Sequence, residues 1–144
     1  MSRNADSVPA TETALDALFS TAKAVQARAY APYSQFRVGA ALLADDGVVY
    51  AGCNVENAAY PSGSCAEQGA ISAMIAGGGR AIMALVVYGE GEELVTPCGA
   101  CRQRIREFAE ADTPIGIAGS AGIRARFSLS VLLPASFGPA NLRR

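Results

Sequence analysis

The chain has 144 residues, of which 51% are hydrophobic and 17% charged, and its net charge is −1. A chain of this length and composition forms one compact domain with a sizeable core and is not a disordered protein. The near-neutral charge offers no basic field to nucleic acid, and no apolar run reaches the length of a membrane span.

The first ten residues are polar and contain Pro9, so we expect residues 1–10 to be loose and residues 11–144 to form a single domain. This N-terminus has no hydrophobic segment of the kind that a secretory signal requires. In such a chain the four cysteines are more typical of thiols or metal ligands than of disulfides. We therefore expect a cytoplasmic protein.

The N-terminal half predicts a helix followed by a hairpin. Apolar residues recur at helical spacing from Leu15 to Ala29, and Thr11 or Thr13 can cap the helix. Apolar and β-branched residues then predict strands over 36–43 and 48–55, joined by an Asp-Asp-Gly turn at 45–47. A hairpin requires an antiparallel pair of strands.

The remaining elements alternate between helix and strand. Gly77-Gly78-Gly79 ends a helix that begins near residue 65, and Pro97 opens another helical segment. The predicted elements are helix 65–76, strand 82–88, helix 99–109, strands 114–118 and 123–129, and one helical turn over 130–133. Strands interleaved with helices predict a three-layer α/β/α sandwich, and the hairpin makes the sheet mixed, with neighbouring strands parallel across the helical crossings.

Three cysteines are the candidate metal ligands of the sequence. Cys98 and Cys101 make a Cys-x-x-Cys pair, Cys65 is a third thiol, and the chain contains no histidine. Three thiolates close three sides of a tetrahedral zinc site and leave the fourth open to water. Cys65 lies at the start of one predicted helix, and Cys98 and Cys101 lie at the start of another. Two helix N-termini would therefore face the metal and stabilise the thiolates.

Glu67 is two residues after Cys65, where its carboxylate can handle the protons of that water. A cysteine, a spacer, a glutamate and then Pro-Cys-x-x-Cys is typical of zinc-dependent nucleobase deaminases. Other interpretations exist. Cys53 could complete a structural zinc site, the Cys-x-x-Cys pair could be redox-active, and Glu67 could serve only the helix dipole.

Asn54 and Glu56 alternate along the second predicted strand and so project to one face. An amide and a carboxylate together can hydrogen-bond a sugar hydroxyl. From this segment alone, a solvated pair at the end of a strand is the simpler interpretation.

The chain resembles the cytidine deaminases, in their short, homotetrameric, three-cysteine class. The matching segments are collinear and cover nearly the whole chain. They are Tyr30–Ala41, Gly52–Tyr60, Cys65–Glu67, Thr96–Gln103 and Leu132–Pro139.

The resemblance implies a five-stranded mixed sheet, one zinc ion per subunit, and conversion of cytidine or deoxycytidine to the uracil nucleoside in pyrimidine salvage. It implies that Cys65, Cys98 and Cys101 are the zinc ligands and that Glu67 shuttles protons. The implied substrate contacts are Asn54 and Glu56 to the ribose, Phe36 beside the pyrimidine, the backbone of Ala66 and the carbonyl of Thr96 at the base edge, and Phe137 from a neighbouring subunit.

The chain departs from the family pattern directly after the glutamate. Three-cysteine members commonly carry arginine there, where it offsets thiolate charge, whereas this chain has the neutral Gln68. Our hypothesis is that the two helix N-termini, together with Arg102, provide the compensation. The loop Pro61–Ser64 also differs from many relatives, which makes a modified aminopyrimidine nucleoside, such as a nucleoside antibiotic, an alternative substrate.

Two further hypotheses come from other classes of protein. A non-catalytic zinc-stabilised protein would keep its zinc, fold and role after loss of Glu67, and a thiol-redox protein would form a Cys98–Cys101 disulfide. Neither explains why Glu67 accompanies all three cysteines. We therefore predict an enzyme that acts on a small nucleoside and binds neither nucleic acid nor a membrane.

Overall fold

The computed structural model describes residues 7–143 of the chain. In chain order the elements are α1 (Ser7–Gln26), β1 (Val38–Ala44), β2 (Val49–Cys53), α2 (Ala66–Gly77), β3 (Ile82–Gly89), α3 (Gly99–Phe108), β4 (Pro114–Gly119), β5 (Gly122–Ser128) and α4 (Leu129–Leu132). Among these residues, no helix has both the length and the apolar character that a membrane span requires.

The five strands form one mixed sheet in the order β2-β1-β3-β4-β5. β1 pairs antiparallel with both β2 and β3, β3 is parallel to β4, and β4 is antiparallel to β5. The mixed five-stranded sheet is therefore confirmed. Of the two helical crossings, only that through α3 joins neighbours, because β1 lies between β2 and β3.

Helices cover both faces of the sheet and make three layers. Successive residues of β3 point to opposite faces, as the period of a strand requires. Val86 and Tyr88 join the core beneath α1, where Leu15 and Leu18 are also buried. The opposite face packs against α2, α3 and α4 in a larger cluster that includes Leu85, Met74 and Ile105.

Gly52 determines how closely α2 lies on β2. A Cβ atom at this position would stand 2.3 Å from the backbone nitrogen of Ala70 and 2.5 Å from the carbonyl oxygen of Ala66. No side chain fits there without moving the helix. The glycine therefore allows the start of α2 to pack directly on the sheet. This part of the chain carries Cys65 and Glu67.

The first helix differs from its sequence prediction at both ends. It ends at Gln26 rather than near Ala29, since the chain makes a turn over Gln26–Ala29. In this turn the backbone hydrogen bonds join residues three apart rather than four. It begins at Ser7, so four residues of the segment expected to be loose are helical. The rest of that segment, residues 1–6, lies outside the described residues.

Candidate metal centre

The candidate site lies at the edge of the sheet where three strands meet. Cys53 at the end of β2 pairs with Gly39, and Gly89 at the end of β3 pairs with Val38. The carboxyl ends of β2 and β3 therefore flank the start of β1. The chain leaves these ends toward α2 and α3, so both helices begin beside the same edge.

A cavity of about 610 Å³ opens at this edge. Its volume is typical of a site for a small molecule. Residues from three stretches of the chain line it, namely Tyr33, Ser34, Phe36 and Val38, then Asn54–Asn57, Tyr60 and Gly63–Glu67, and then Val95, Thr96 and Cys98.

The three cysteines converge beside the cavity, which Cys65 and Cys98 line. The Sγ atoms of Cys65, Cys98 and Cys101 all lie within 4.8 Å of one another. The Sγ atoms of Cys65 and Cys98 are 3.8 Å apart. Two thiolates on one tetrahedral zinc, each with a Zn–S bond of about 2.3 Å, would be separated by about 3.8 Å. The spacing and the all-sulfur donor set therefore fit a zinc ion.

Each helix presents its N-terminus to this cluster. Cys65 and Cys98 are the N-cap residues of α2 and α3, and both have extended backbones with ψ values of 160° and 166°. Cys101 follows in the first turn of α3 and is fully buried. The partial positive charge at a helix N-terminus favours the thiolate form that binds a metal.

The thiols differ in their proton affinity even without a metal. Burial raises the pKa of the Cys65 and Cys101 thiols, and the negative charge of Glu67 raises that of Cys101 further. Burial acts in the same direction on Cys98, but hydrogen bonds from the Cys101 backbone N–H and from the other two thiols more than offset it, so the pKa of Cys98 is lowered. Bound zinc would deprotonate all three thiols.

Glu67 is an almost fully buried carboxyl beside the thiols, with only 4% of its surface exposed. It belongs to the first turn of α2 and lines the cavity. Burial raises its pKa above the ordinary value, while the Cys101 thiol and the positive charge of Arg104 act in the opposite direction. A carboxyl with a raised pKa can both accept and release a proton near neutral pH.

Asn54 lies at the other end of the cavity and holds the start of β1. Its Oδ1 accepts a 2.8 Å hydrogen bond from the Val38 N–H, and its Nδ2 donates one of 2.8 Å to the Phe36 carbonyl. The side chain therefore connects the end of β2 to the segment that carries Phe36. One amide hydrogen and one lone pair remain for further bonds.

Glu56 is held by the turn that follows α1. Its Oε1 accepts hydrogen bonds from the backbone N–H groups of Tyr33 at 2.9 Å and Ser34 at 3.1 Å. Hydrogen bonds from the Ser34 side chain and from these two backbone groups lower the pKa of Glu56. The carboxylate is thus charged, and Glu56 lines the cavity.

The cavity brings together most of the residues predicted to contact a substrate. Phe36, Ala66 and Thr96 line it, as do Asn54 and Glu56. Phe137 does not line it. Its side chain is 57% exposed, and its carbonyl accepts a 2.9 Å hydrogen bond from Gln103.

Gln68, which is the neutral residue after Glu67, and Arg102, which was predicted to help compensate the thiolate charge, occupy different settings. Gln68 is half-buried in the first turn of α2. Arg102 donates to three neutral oxygens, the carbonyls of Pro97 at 2.7 Å and Leu132 at 2.8 Å and the Thr96 hydroxyl at 3.1 Å. It thereby holds the segment that precedes α3 against α4.

Sequence reasoning missed Arg104, whose Nη1 lies 3.4 Å from the Cys101 Sγ. It also missed Tyr33 and Ser34 as the donors to Glu56. A signal for Arg104 was present, because residues three apart on a helix are neighbours on its surface.

Known proteins share this sequence and this fold. Residues 12–117 match the family model described as the cytidine and deoxycytidylate deaminase zinc-binding region. A cytidine deaminase of Sporosarcina psychrophila is 41% identical over 128 residues, which are 89% of this chain and 94% of that protein. One from Mycobacterium tuberculosis is 44% identical over 119 residues, 82% of this chain and 85% of its own length.

Solved structures agree with the sequence comparison. The crystal structure of cytidine deaminase from Burkholderia pseudomallei has a TM-score of 0.78 at 43% identity and covers 84% of this chain and 97% of its own. That from Mycobacterium tuberculosis has a TM-score of 0.73 at 39% identity, with coverages of 85% and 95%. Together with three thiols spaced for zinc, these matches show that the chain belongs to the zinc-binding cytidine and deoxycytidylate deaminase family.

Proposed function

We propose that this protein catalyses the hydrolytic deamination of cytidine and deoxycytidine to the uracil nucleosides and ammonia. The observation that carries the proposal is the meeting, in one cavity, of a zinc-competent thiol cluster and the buried carboxyl of Glu67. The relatives named cytidine deaminases support this choice of substrate. Pyrimidine salvage is the metabolic role that such a reaction would serve.

Cys65, Cys98 and Cys101 would hold the metal. A bound zinc ion would lower the pKa of a water molecule from 15.7 to about 7 and so supply a nucleophile at neutral pH. Glu67 takes a proton from the water and delivers it to the ring nitrogen beside the amino-bearing carbon. The water oxygen would then bond to that carbon, and the proton left on this oxygen would pass through Glu67 to the amino nitrogen. The carbon–nitrogen bond would break with release of ammonia, and the oxygen would become the carbonyl of the uracil ring.

The opposite end of the cavity suits the sugar. Both backbone donors reach Oε1 of Glu56, so Oε2 is the oxygen that we expect to accept from a ribose hydroxyl. The remaining amide hydrogen of Asn54 would donate to the same hydroxyl. Phe36 would pack on the pyrimidine, and the Ala66 backbone and the Thr96 carbonyl would bind the edge of the base. Gln68, in the first turn of α2, and Arg102, which bonds the segment before α3 to α4, would support the site without contacting the substrate.

We expect the site to be completed by neighbouring subunits of a homotetramer. Phe137 is exposed outside the cavity of its own chain, where it is free to reach the site of another. Tyr30 and Tyr60 are also large and more than half exposed. Light scattering of the purified protein tests the assembly.

A cytoplasmic location remains a prediction. The four cysteines are free thiols, which is usual in a reducing compartment. Fractionation of the cells that produce the protein tests the location.

The test of the proposed reaction is Glu67→Gln, which removes the proton-carrying group and keeps the size of the side chain. We expect kcat for cytidine to fall about 100- to 10,000-fold while zinc and fold are retained. Ultraviolet absorbance and ammonia release would be followed with cytidine, deoxycytidine, cytosine and modified aminopyrimidine nucleosides.

Glu107→Gln, which changes an exposed carboxyl on α3, is the matched control and should leave kcat unchanged. Wild-type protein that contains one zinc per subunit and turns over neither cytidine nor deoxycytidine would refute the proposal. So would Glu67→Gln protein with full activity.

A further inference from the structure

Three thiolates around zinc leave a charge that the protein must balance. Three sulfur anions and one Zn²⁺ sum to −1, and the nearby Glu67 carboxylate adds a second negative charge when ionised. Glu67 has only 4% of its surface exposed and Cys101 has none, so water screens these charges poorly. Two helix N-termini supply about half a positive charge each, which leaves the site negative.

The first turn of α2 does not supply a cation, since Gln68 is neutral. The other helix does. Arg104 of α3 is half-buried, and its Nη1 lies 3.4 Å from the Cys101 Sγ. When Cys101 is a thiolate, this becomes a charge-assisted hydrogen bond, which is about twice as strong as a neutral one.

The three arginines of α3 have different partners. Arg102 bonds to the carbonyls of Pro97 and Leu132, and Arg106 donates to the Ser136 hydroxyl at 2.9 Å. Arg104 alone of the three bonds to a sulfur. Within residues 7–143, no carboxylate forms a salt bridge with it. Its charge is therefore available to the metal site.

Arg104 also acts on Glu67. Its positive charge attracts the ionised carboxylate of Glu67, which is buried beside the Cys101 thiol. One guanidinium thus interacts with a ligand thiol and with the buried carboxyl beside it.

We infer that Arg104 is the positioning and charge-compensating residue of the zinc site. Its guanidinium hydrogen-bonds the Cys101 Sγ and supplies the positive charge that the neutral Gln68 does not provide. This inference rests on the proposed function only in that the three cysteines bind zinc. In our sequence hypothesis the two helix N-termini shared the compensation with Arg102; the inference keeps the helix N-termini and gives the part of Arg102 to Arg104.

The experiment measures zinc affinity and does not depend on turnover. Arg104→Gln removes the charge, Arg104→Lys keeps it, and Arg106→Gln is the matched control from the same helix. Zinc dissociation constants would be measured on the full chain by competition with a chromophoric chelator. We expect Arg104→Gln to weaken zinc binding about 10- to 100-fold, as is usual for partners of metal ligands. Arg104→Lys should recover part of the loss, and Arg106→Gln should cause none.

A second arm separates charge from folding. Gln68→Arg added to Arg104→Gln returns a guanidinium to the site from the other helix, and we expect it to recover zinc affinity. In cobalt-substituted protein, Arg104→Gln should move the sulfur-to-cobalt charge-transfer band to longer wavelength, because the sulfur electrons are less stabilised. A merely structural defect would not produce this shift.

Zinc affinity within twofold of wild type in Arg104→Gln, with an unshifted cobalt band, would overturn the inference. Equal losses in Arg104→Gln and Arg106→Gln would also overturn it, because the effect would then be general to the helix. If Arg104→Gln fails to fold, the comparison of Arg104→Lys with wild type on the same two readouts decides. Normal zinc affinity without cytidine turnover would refute the proposed reaction and leave this inference standing.

Discussion

The two ends of the cavity each carry a glutamate, and the two glutamates are set up in opposite ways. Glu67 is 4% exposed, and burial raises its pKa. Glu56 is partly exposed, and hydrogen bonds from Ser34 and Tyr33 lower its pKa. The same side chain is thus prepared for proton transfer at one end and for constant negative charge at the other.

The difference follows from which groups surround each carboxyl. At the metal end Glu67 is buried beside the Cys101 thiol, and burial disfavours the charged carboxylate more strongly than the thiol and Arg104 favour it, so the pKa of Glu67 is raised. At the sugar end the neighbours are backbone N–H donors, which favour the charged form. A pair of titratable groups with pKa values pushed apart is a sign of separate roles in one reaction.

The largest effect should come from the metal end through Cys101→Ala. Loss of one of three ligands should abolish stoichiometric zinc and lower kcat on the order of 10⁴-fold or more, because the activated water is lost. Metal analysis and cytidine turnover measure the two effects. Cys53→Ser is the matched control, since Cys53 lies outside the thiol cluster. Full zinc content in Cys101→Ala would show that the cluster is not the metal site.

Glu56→Gln tests the sugar end. We expect kcat/KM for cytidine to fall about 10- to 100-fold, mainly through a higher KM, because a charged hydrogen bond to the sugar becomes a neutral one. Steady-state kinetics separate the two constants. Glu90→Gln, which alters an exposed carboxyl on the loop after β3, should change neither. A fall confined to kcat would mean that Glu56 belongs to the chemistry and that the two ends are not separate.

Asn54→Ala tests the structural part of the sugar end. It removes two 2.8 Å hydrogen bonds to the backbone of Phe36 and Val38 and should lower the free energy of unfolding by about 1–2 kcal/mol. Urea unfolding measures the change. Asn57→Ala is the control, because the side chain of Asn57 accepts its hydrogen bond from the Ala59 N–H of its own turn and, within residues 7–143, does not connect β2 to another segment. Equal losses in the two variants would contradict the assigned role of Asn54.

The smallest effect concerns acid stability and Glu56. Hydrogen bonding lowers its pKa in the folded chain below the ordinary value of 4.5. The resulting stability is therefore complete above pH 4.5 and is lost as the pH falls through the folded-state pKa. Glu56→Gln should lose less stability than wild type between about pH 6 and about pH 4. Urea midpoints at the two pH values measure this loss. If wild type and Glu56→Gln lost the same stability between them, Glu56 would not be stabilised as a carboxylate.

Most of the fold followed from local patterns. The three apolar positions Leu15, Leu18 and Ala22 have helical spacing and are buried as expected, and the glycines after α2 end that helix. The end of α1 was less predictable, because Ala29 is buried at a turn rather than on a helix. A buried alanine is compatible with either conformation, so periodicity alone extended the helix too far.

The metal end was predictable for a physical reason. Cys98 and Cys101 are brought together by the first turn of one helix, and the donor chemistry of thiols limits what they can bind. By contrast, the sheet order placed Cys65 next to them, because β1 separates β2 from β3 and brings their ends to one edge.

The groups that we propose to react could be identified from the order of the amino acids, since cysteine thiols and a glutamate at helix starts have the same chemistry in any fold that brings them together. The packing of the layers settled which of the three arginines on α3 reaches a sulfur, because Arg102 donates to the Leu132 carbonyl and Arg106 to the Ser136 hydroxyl instead. It also decided the charge state of Glu56, whose donors are 22 and 23 residues away in the chain. Contacts of that range depend on how the layers pack, and no local pattern records them.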